Sequence, residues 1–135
     1  MFIQVNASNG VPVYDQIARQ VTFAVADGAL AAGDLIPSVR ELAKELAVNP
    51  NTVARAYREL QSQEVVEPTP GVGLAVRSGA RAACRKSRRD LMRRRVSESL
   101  SEALAAGLSP DEVETLFTSE LKKLRKNHPA AGEQA

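Results

Sequence analysis

The chain holds a single cysteine and a single histidine among 135 residues, and each scarcity removes a class of chemistry. Cys84 has no partner for an internal disulfide, and no group of cysteine and histidine shows metal-ligand spacing. The thiol therefore reads as free and inert, in a reduced, cytoplasmic setting rather than a secreted one. His128 stands near the C-terminus, outside any arrangement that would activate a nucleophile. There is no glycine-rich phosphate loop and no paired-carboxylate constellation, so no catalytic residue, cofactor or metal is expected. Long apolar runs are missing too. Residues 1–10 lack a basic stretch leading into an apolar one, and the alanine-rich 23–33 is interrupted by Asp27 and followed by Asp34, so no membrane segment is expected.

Strong net charge is also absent: the total is +2, too small to argue for a nucleic-acid partner alone. The distribution is uneven. Residues 79–95 contain Arg81, Arg85, Lys86, Arg88, Arg89, Arg93, Arg94 and Arg95 against the single acid Asp90, a net +7. Residues 1–78 carry six basic and eight acidic side chains, a net −2. With 44% hydrophobic and 25% charged residues, a chain of this length supports one compact domain and a small extension.

Phe2-Ile3-Gln4-Val5 is a short strand-like run, followed by a turn. A helix is predicted from about Pro12, with Tyr14, Ile17, Val21, Ala24 and Val25 at helical spacing and Gly28 as its stop. Leu35-Ile36-Pro37 is extended, and Ser38 with Glu41 forms a capping box opening a second helix, whose buried stripe is Val39, Leu42, Ala43 and Leu46. After a tight turn Asn49 caps a third helix with Pro50 at its first position. At about 100° per residue, Val53, Ala56, Tyr57 and Leu60 face inward, while Asn51, Arg55, Arg58 and Ser62 face outward. A second helix with a basic and amide outer face is how a protein presents side chains to the DNA major groove.

Val65-Val66 and Leu74-Ala75-Val76 are strand candidates joined by Pro68-Thr69-Pro70-Gly71-Val72-Gly73, a hairpin or wing. A domain boundary is expected at Ser78-Gly79. A long helix over 81–106 has the apolar stripe Met92, Val96, Leu100, Ala103 and Leu104 and ends at Gly107. Ser109-Pro110-Asp111-Glu112 opens another, with Val113, Leu116, Phe117, Leu121 and Leu124 in its stripe. Two such helices bury too little alone, so a second copy of the chain is expected to complete their core.

Three segments, Val11-Pro12-Val13-Tyr14-Asp15-Gln16-Ile17, Gly33-Asp34-Leu35-Ile36-Pro37-Ser38-Val39-Arg40-Glu41-Leu42-Ala43 and Asn51-Thr52-Val53-Ala54-Arg55-Ala56-Tyr57, resemble the GntR family of bacterial transcription regulators, and within it the small YtrA-like subfamily. The resemblance runs over about residues 2–76 and more weakly through the last two helices. It implies a mostly α fold with a small β-hairpin: a winged helix-turn-helix DNA-binding domain over 1–78 and a two-helix dimerisation or effector domain over 79–128; the tail over 129–135 is expected from its own residues to be disordered. It also implies a homodimer that binds a short palindromic operator on double-stranded DNA, usually as a repressor. Arg40, Asn51, Thr52 and Arg55 match positions that touch DNA in that family. The chemistry agrees, since arginine can bridge two guanine acceptors, asparagine can pair with adenine, and a hydroxyl or helix N-terminal amide can bind phosphate. Ser38, Asn49, Arg58 and the wing residues Gly71 and Gly73 complete the candidate DNA-binding set. The chain departs from the family in having Pro50 and Ala54 where many members are basic, and no arginine at the wing tip.

Competing readings stand beside these. Arg55 could be a solvated residue paired with Glu59, and the basic run 81–95 either a solvated face or a phosphate contact supplying non-specific attraction. A winged-helix protein-interaction module would show no preference in DNA selection; a weakly specific architectural DNA binder would bind without a recoverable palindrome. A small-molecule effector would act on the relative angle of two reading heads, and both a site between subunits and no effector at all stay open.

Overall fold

The computed structural model describes residues 3–128; Phe2 of the strand-like run and the expected tail over 129–135 lie outside the described residues. The elements are α1 (Val13–Asp27), α2 (Val39–Leu46), α3 (Pro50–Ser62), the strands β1 (Val66–Thr69) and β2 (Gly73–Val76), then α4 (Ala80–Ala105) and α5 (Pro110–Arg125). The fold is mostly helical with one small hairpin, as the sequence predicts.

Local chemistry sets most of the boundaries. Ser38 Oγ accepts from the Glu41 amide at 3.1 Å while the Ser38 amide donates to Glu41 Oε1 at 3.3 Å, so the capping box of α2 is formed. Ser109 and Glu112 repeat it on α5, with Pro110 at the first turn. Asn49 Oδ1 accepts from the Asn51 amide at 2.8 Å and starts α3. α2 ends with the Val48 amide bonded to the Ala43 carbonyl and Ala47 in the left-handed region at φ 56°. That leaves the short turn before α3.

Ile17, Val21 and Val25 of α1, Leu42 of α2, and Val53, Ala56, Tyr57 and Leu60 of α3 belong to one core, closed by Val65, Val66 and Val76 around the hairpin. β1 and β2 are antiparallel in the register Val66 to Val76 through Thr69 to Gly73, turning through Pro70, Gly71 and Val72. Pro68 and Thr69, expected in the turn, belong to β1. The extended stretch before α2 adds to the other side of β2: the Gly33 amide donates to the Val76 carbonyl at 2.9 Å, Val76 to Asp34 at 2.9 Å, and Ile36 to Leu74 at 3.0 Å. A bridge from Leu35 to Ala75 lies between them.

The strand-like run at the N-terminus is a correction: residues 3–5 form no strand. Their backbone runs along α1 and is bonded by side chains, Gln20 Nε2 donating to the Gln4 carbonyl at 2.6 Å and the Gln4 amide donating to Gln20 Oε1 at 3.0 Å. Ile3 is buried in the core, which accounts for its apolar character without a partner strand. Gln16 secures the turn that follows, accepting from the Asn6 amide and donating to the Asn6 and Val11 carbonyls, each at 2.8 Å.

The chain divides into compact units Met1–Leu91 and Met92–Ala135. α4 starts just after the expected boundary at Ser78-Gly79, but its first turns belong to the first unit because Ala80 and Cys84 are buried in that core. Burial also raises the Cys84 pKa, which keeps the thiol protonated and inert. Among the described residues of the second unit only Val113 is buried; Met92, Val96, Leu104, Leu116, Leu121 and Leu124 of the two apolar stripes are exposed.

Candidate nucleic-acid interface

α3 divides as its periodicity predicts. Val53, Ala56, Tyr57 and Leu60 are buried, Asn51, Arg55, Arg58 and Ser62 are exposed, and Thr52 lies half-buried between the two sets. Tyr57 does more than fill the core: its hydroxyl donates to the Pro37 carbonyl at 2.7 Å, pinning the residue just before the α2 cap onto α3. Burial, reinforced by the nearby charges of Glu41 and Glu45, pushes the Tyr57 pKa well above its ordinary value, so the phenol stays a hydrogen-bond donor. The angle between α2 and α3 thus rests on apolar packing and one long-range hydrogen bond.

Around this frame the structure gathers Ser38 and Arg40 at the start of α2 and Asn49, Asn51, Thr52 and Arg55 over the first turns of α3. Arg40 and Arg58 are exposed and make no ion pair with other described residues. Ser38 and Asn49 are committed through their oxygens as caps, which leaves a hydroxyl hydrogen and an amide NH2 as donors. Arg55 does not pair with Glu59, whose carboxylate accepts from Gln63 Nε2 at 2.9 Å. Its Cζ instead lies 3.8 Å from the centroid of the Tyr14 ring on α1. Periodicity placed Tyr14 in the apolar stripe of α1, and its segment carried part of the family resemblance, but neither pointed to Arg55.

The wing carries little charge toward a ligand. Gly71 and Gly73 have φ of 75° and 139°, and the space beside each is open, so backbone conformation rather than local crowding calls for glycine. Arg77, the only arginine near the hairpin, is held at its base by Glu64 at 3.3 Å and Glu67 at 3.4 Å. Val72, at the turn, is exposed.

The basic run is partly spent inside the first unit. Arg81 Nε and Arg85 Nε both donate to the Ala26 carbonyl, at 3.5 and 3.3 Å, and Arg88 pairs with Asp27. These cations meet the last turn of α1, where unpaired carbonyls and the helix dipole concentrate negative charge. Gly28, which ends α1 at φ 84°, keeps this approach open: a Cβ there would come within 3.2 Å of Arg81 Nη2. The signal was available, because 81, 85 and 88 share one helical face with Ala80 and Cys84. Lys86, Arg89, Arg94 and Arg95 remain exposed.

Among the described residues no group of histidine, cysteine and acidic side chains could hold a metal, and no helix is long and apolar enough to cross a membrane. The family model described as bacterial regulatory proteins, gntR family, matches residues 13–76. The HTH-type transcriptional repressor YtrA of Bacillus subtilis is 30% identical over 111 residues, 82% of this chain and 85% of that protein.

The chain belongs to the GntR family.

As a GntR-family helix-turn-helix regulator it binds DNA and is not an enzyme. A transcriptional regulator from Oenococcus oeni has a similar structure, with a TM-score of 0.70 at 31% identity over 89% of this chain and 99% of that one. YtrA from Sulfolobus acidocaldarius, a GntR-family transcription factor, matches with a TM-score of 0.58 at 31% identity over 75% of this chain and 99% of that one. Both similarities exceed the length of the winged helix alone.

Proposed function

We propose that this regulator acts in the cytoplasm as a homodimeric repressor of a short palindromic operator. The observation that carries the reading is the exposed face of α3, where Asn51, Arg55 and Arg58 stand outward beside Arg40 on a well-capped two-helix frame. Side chains on the first turns of such a helix reach base edges, while arginine and capping groups nearby position the phosphate backbone. The likeness to the Bacillus subtilis protein named as a repressor supports repression.

Dimerisation is the reading that best accounts for the second unit. Leu100, Leu104, Pro110, Val113 and Phe117 line an open apolar groove of about 400 Å³, and Leu116, Leu121 and Leu124 stand exposed beyond Val113 on α5. Burying the exposed half of each such leucine against a second copy contributes roughly 1 kcal/mol. A two-fold dimer would bring two α3 helices to successive major grooves about 34 Å apart. Any effector would act by favouring one arrangement of the two heads.

Selection from randomised duplex DNA at near-physiological salt tests the reading. A two-fold symmetric site whose binding is lost in Arg55→Ala supports it; recovery of no motif overturns it. A weakly specific architectural role leans on the basic run, and the engagement of Arg81, Arg85 and Arg88 by α1 removes much of that support.

A further inference from the structure

We infer that Tyr14 is a positioning residue for DNA reading, holding the Arg55 guanidinium in place before DNA arrives; this rests on the reading that Arg55 contacts the operator. Arg55 Cζ lies 3.8 Å over the Tyr14 ring centroid, well inside the range of a cation–π contact. The ring is a fixed platform. Tyr14 is half-buried in the first turn of α1 and packs against the core, whereas Arg55 projects from the exposed face of α3. Asp15, the acid beside Tyr14, is taken by Arg19 at 3.0 Å, so it does not draw the guanidinium away.

The geometry suits recognition because the two functions of the guanidinium are orthogonal. At 3.8 Å from the centroid there is room for the guanidinium only face-on, and its N–H donors, which lie in its own plane, are then directed away from the ring. A long arginine that is free in solution must lose several rotamers when it meets a base edge. A stacked one has lost most of them already, and binding is strengthened by that preorganisation. The Tyr14 hydroxyl makes no hydrogen bond with other described residues, so the ring face is the part that the inference requires.

The test is a fluorescence-anisotropy titration of the full chain against the selected palindrome at fixed salt, with circular dichroism melts of each variant. Arg55→Ala is expected to weaken binding about 25-fold or more, because the loss of one bidentate base contact, about 5- to 150-fold, occurs in each of the two half-sites. Tyr14→Leu is expected to weaken it about 4- to 100-fold, the range for re-ordering one long side chain in each subunit, and Tyr14→Phe to stay within about twofold. The double variant Tyr14→Leu with Arg55→Ala should be no weaker than Arg55→Ala. Base discrimination at the position relaxed by Arg55→Ala should also relax in Tyr14→Leu, which loss of packing alone would not do.

Should Arg55→Ala bind like the parent, the DNA-contact reading of Arg55 fails and the inference falls with it. Should Arg55→Ala bind weakly while Tyr14→Leu is unchanged, or the two losses multiply in the double variant, the inference alone is overturned. Equal losses in Tyr14→Phe and Tyr14→Leu overturn it in favour of a hydroxyl contact. Tighter binding by Tyr14→Leu also overturns it, because the ring would then be withholding Arg55. If Tyr14→Leu melts too low to titrate, Tyr14→Met removes the ring with an unbranched, adaptable side chain that can fill the gap, and carries the same expectations.

Discussion

Arg55 and Arg58 belong to a stretch of net charge −2, residues 1–78, yet both stand exposed on α3; Arg81, Arg85 and Arg88 belong to a stretch of net charge +7, yet all three reach the last turn of α1. Charge density along the chain and charge available to a ligand are therefore different quantities. What separates them is the helical face. In α3 the arginines lie opposite Val53, Ala56 and Leu60, so burial of the apolar stripe forces them outward. In α4 they flank Ala80 and Cys84, the two residues that dock the helix, so the same burial brings them onto the carbonyls of α1.

The strongest way to break the comparison is to remove the exposed set. Arg55→Ala is expected to lose about 1–3 kcal/mol of operator affinity per half-site and to relax preference at one base position in each, read by titration against substituted operators. An unchanged affinity would mean that exposure on α3 does not amount to contact. Removing the engaged set should do the opposite. Arg81→Ala combined with Arg85→Ala should lower folding stability by about 1 kcal/mol, measured by thermal or urea unfolding, by depriving the end of α1 of two donors. Operator affinity and its salt dependence should hold in the folded protein. A flattened salt slope in that variant would show that these arginines reach phosphate after all.

Arg58→Ala sharpens the comparison within α3. If Arg58 meets phosphate, affinity should fall on every sequence and the slope of log K against log salt should decrease in magnitude by about 1.8, about 0.9 for the phosphate lost by each protomer. A loss confined to one base position would assign it to base reading instead. The smallest effect is expected at the turn between α2 and α3, which touches neither arginine set. Ala47 sits at φ 56°, and Ala47→Gly should raise stability by roughly 0.5 kcal/mol, the relief of a left-handed non-glycine residue minus the added unfolded-state entropy. A melting temperature that falls would show that the alanine methyl contributes packing worth more than the strain.

Legibility follows the same division. The starts of α2, α3 and α5 could be read directly, because each depends on side chains within three residues of the cap: Ser38 with Glu41, Asn49 with Pro50, Ser109 with Glu112. The inner and outer faces of α3 followed from its period, and with them the exposure of Asn51, Arg55 and Arg58. The strand-like residues 3–5 misled because an apolar alternation cannot reveal that Gln20, on a helix, will satisfy the backbone groups. The pairing of residues 33–36 with β2 was hidden for a similar reason, since Leu35-Ile36-Pro37 is extended in either case.

By itself the sequence determined the helices, their caps, the hairpin and which face of α3 is polar, because those depend on dihedral preferences, local hydrogen bonds and periodicity over a few turns. Only the tertiary structure decided that Tyr14 lies under Arg55, that Tyr57 holds Pro37, and that Arg81, Arg85 and Arg88 close the end of α1. Each of these joins groups 20 or more residues apart. No local preference encodes such a pair. It arises when burial of the apolar stripes brings separate helices together and leaves each remaining polar group the nearest partner it can reach.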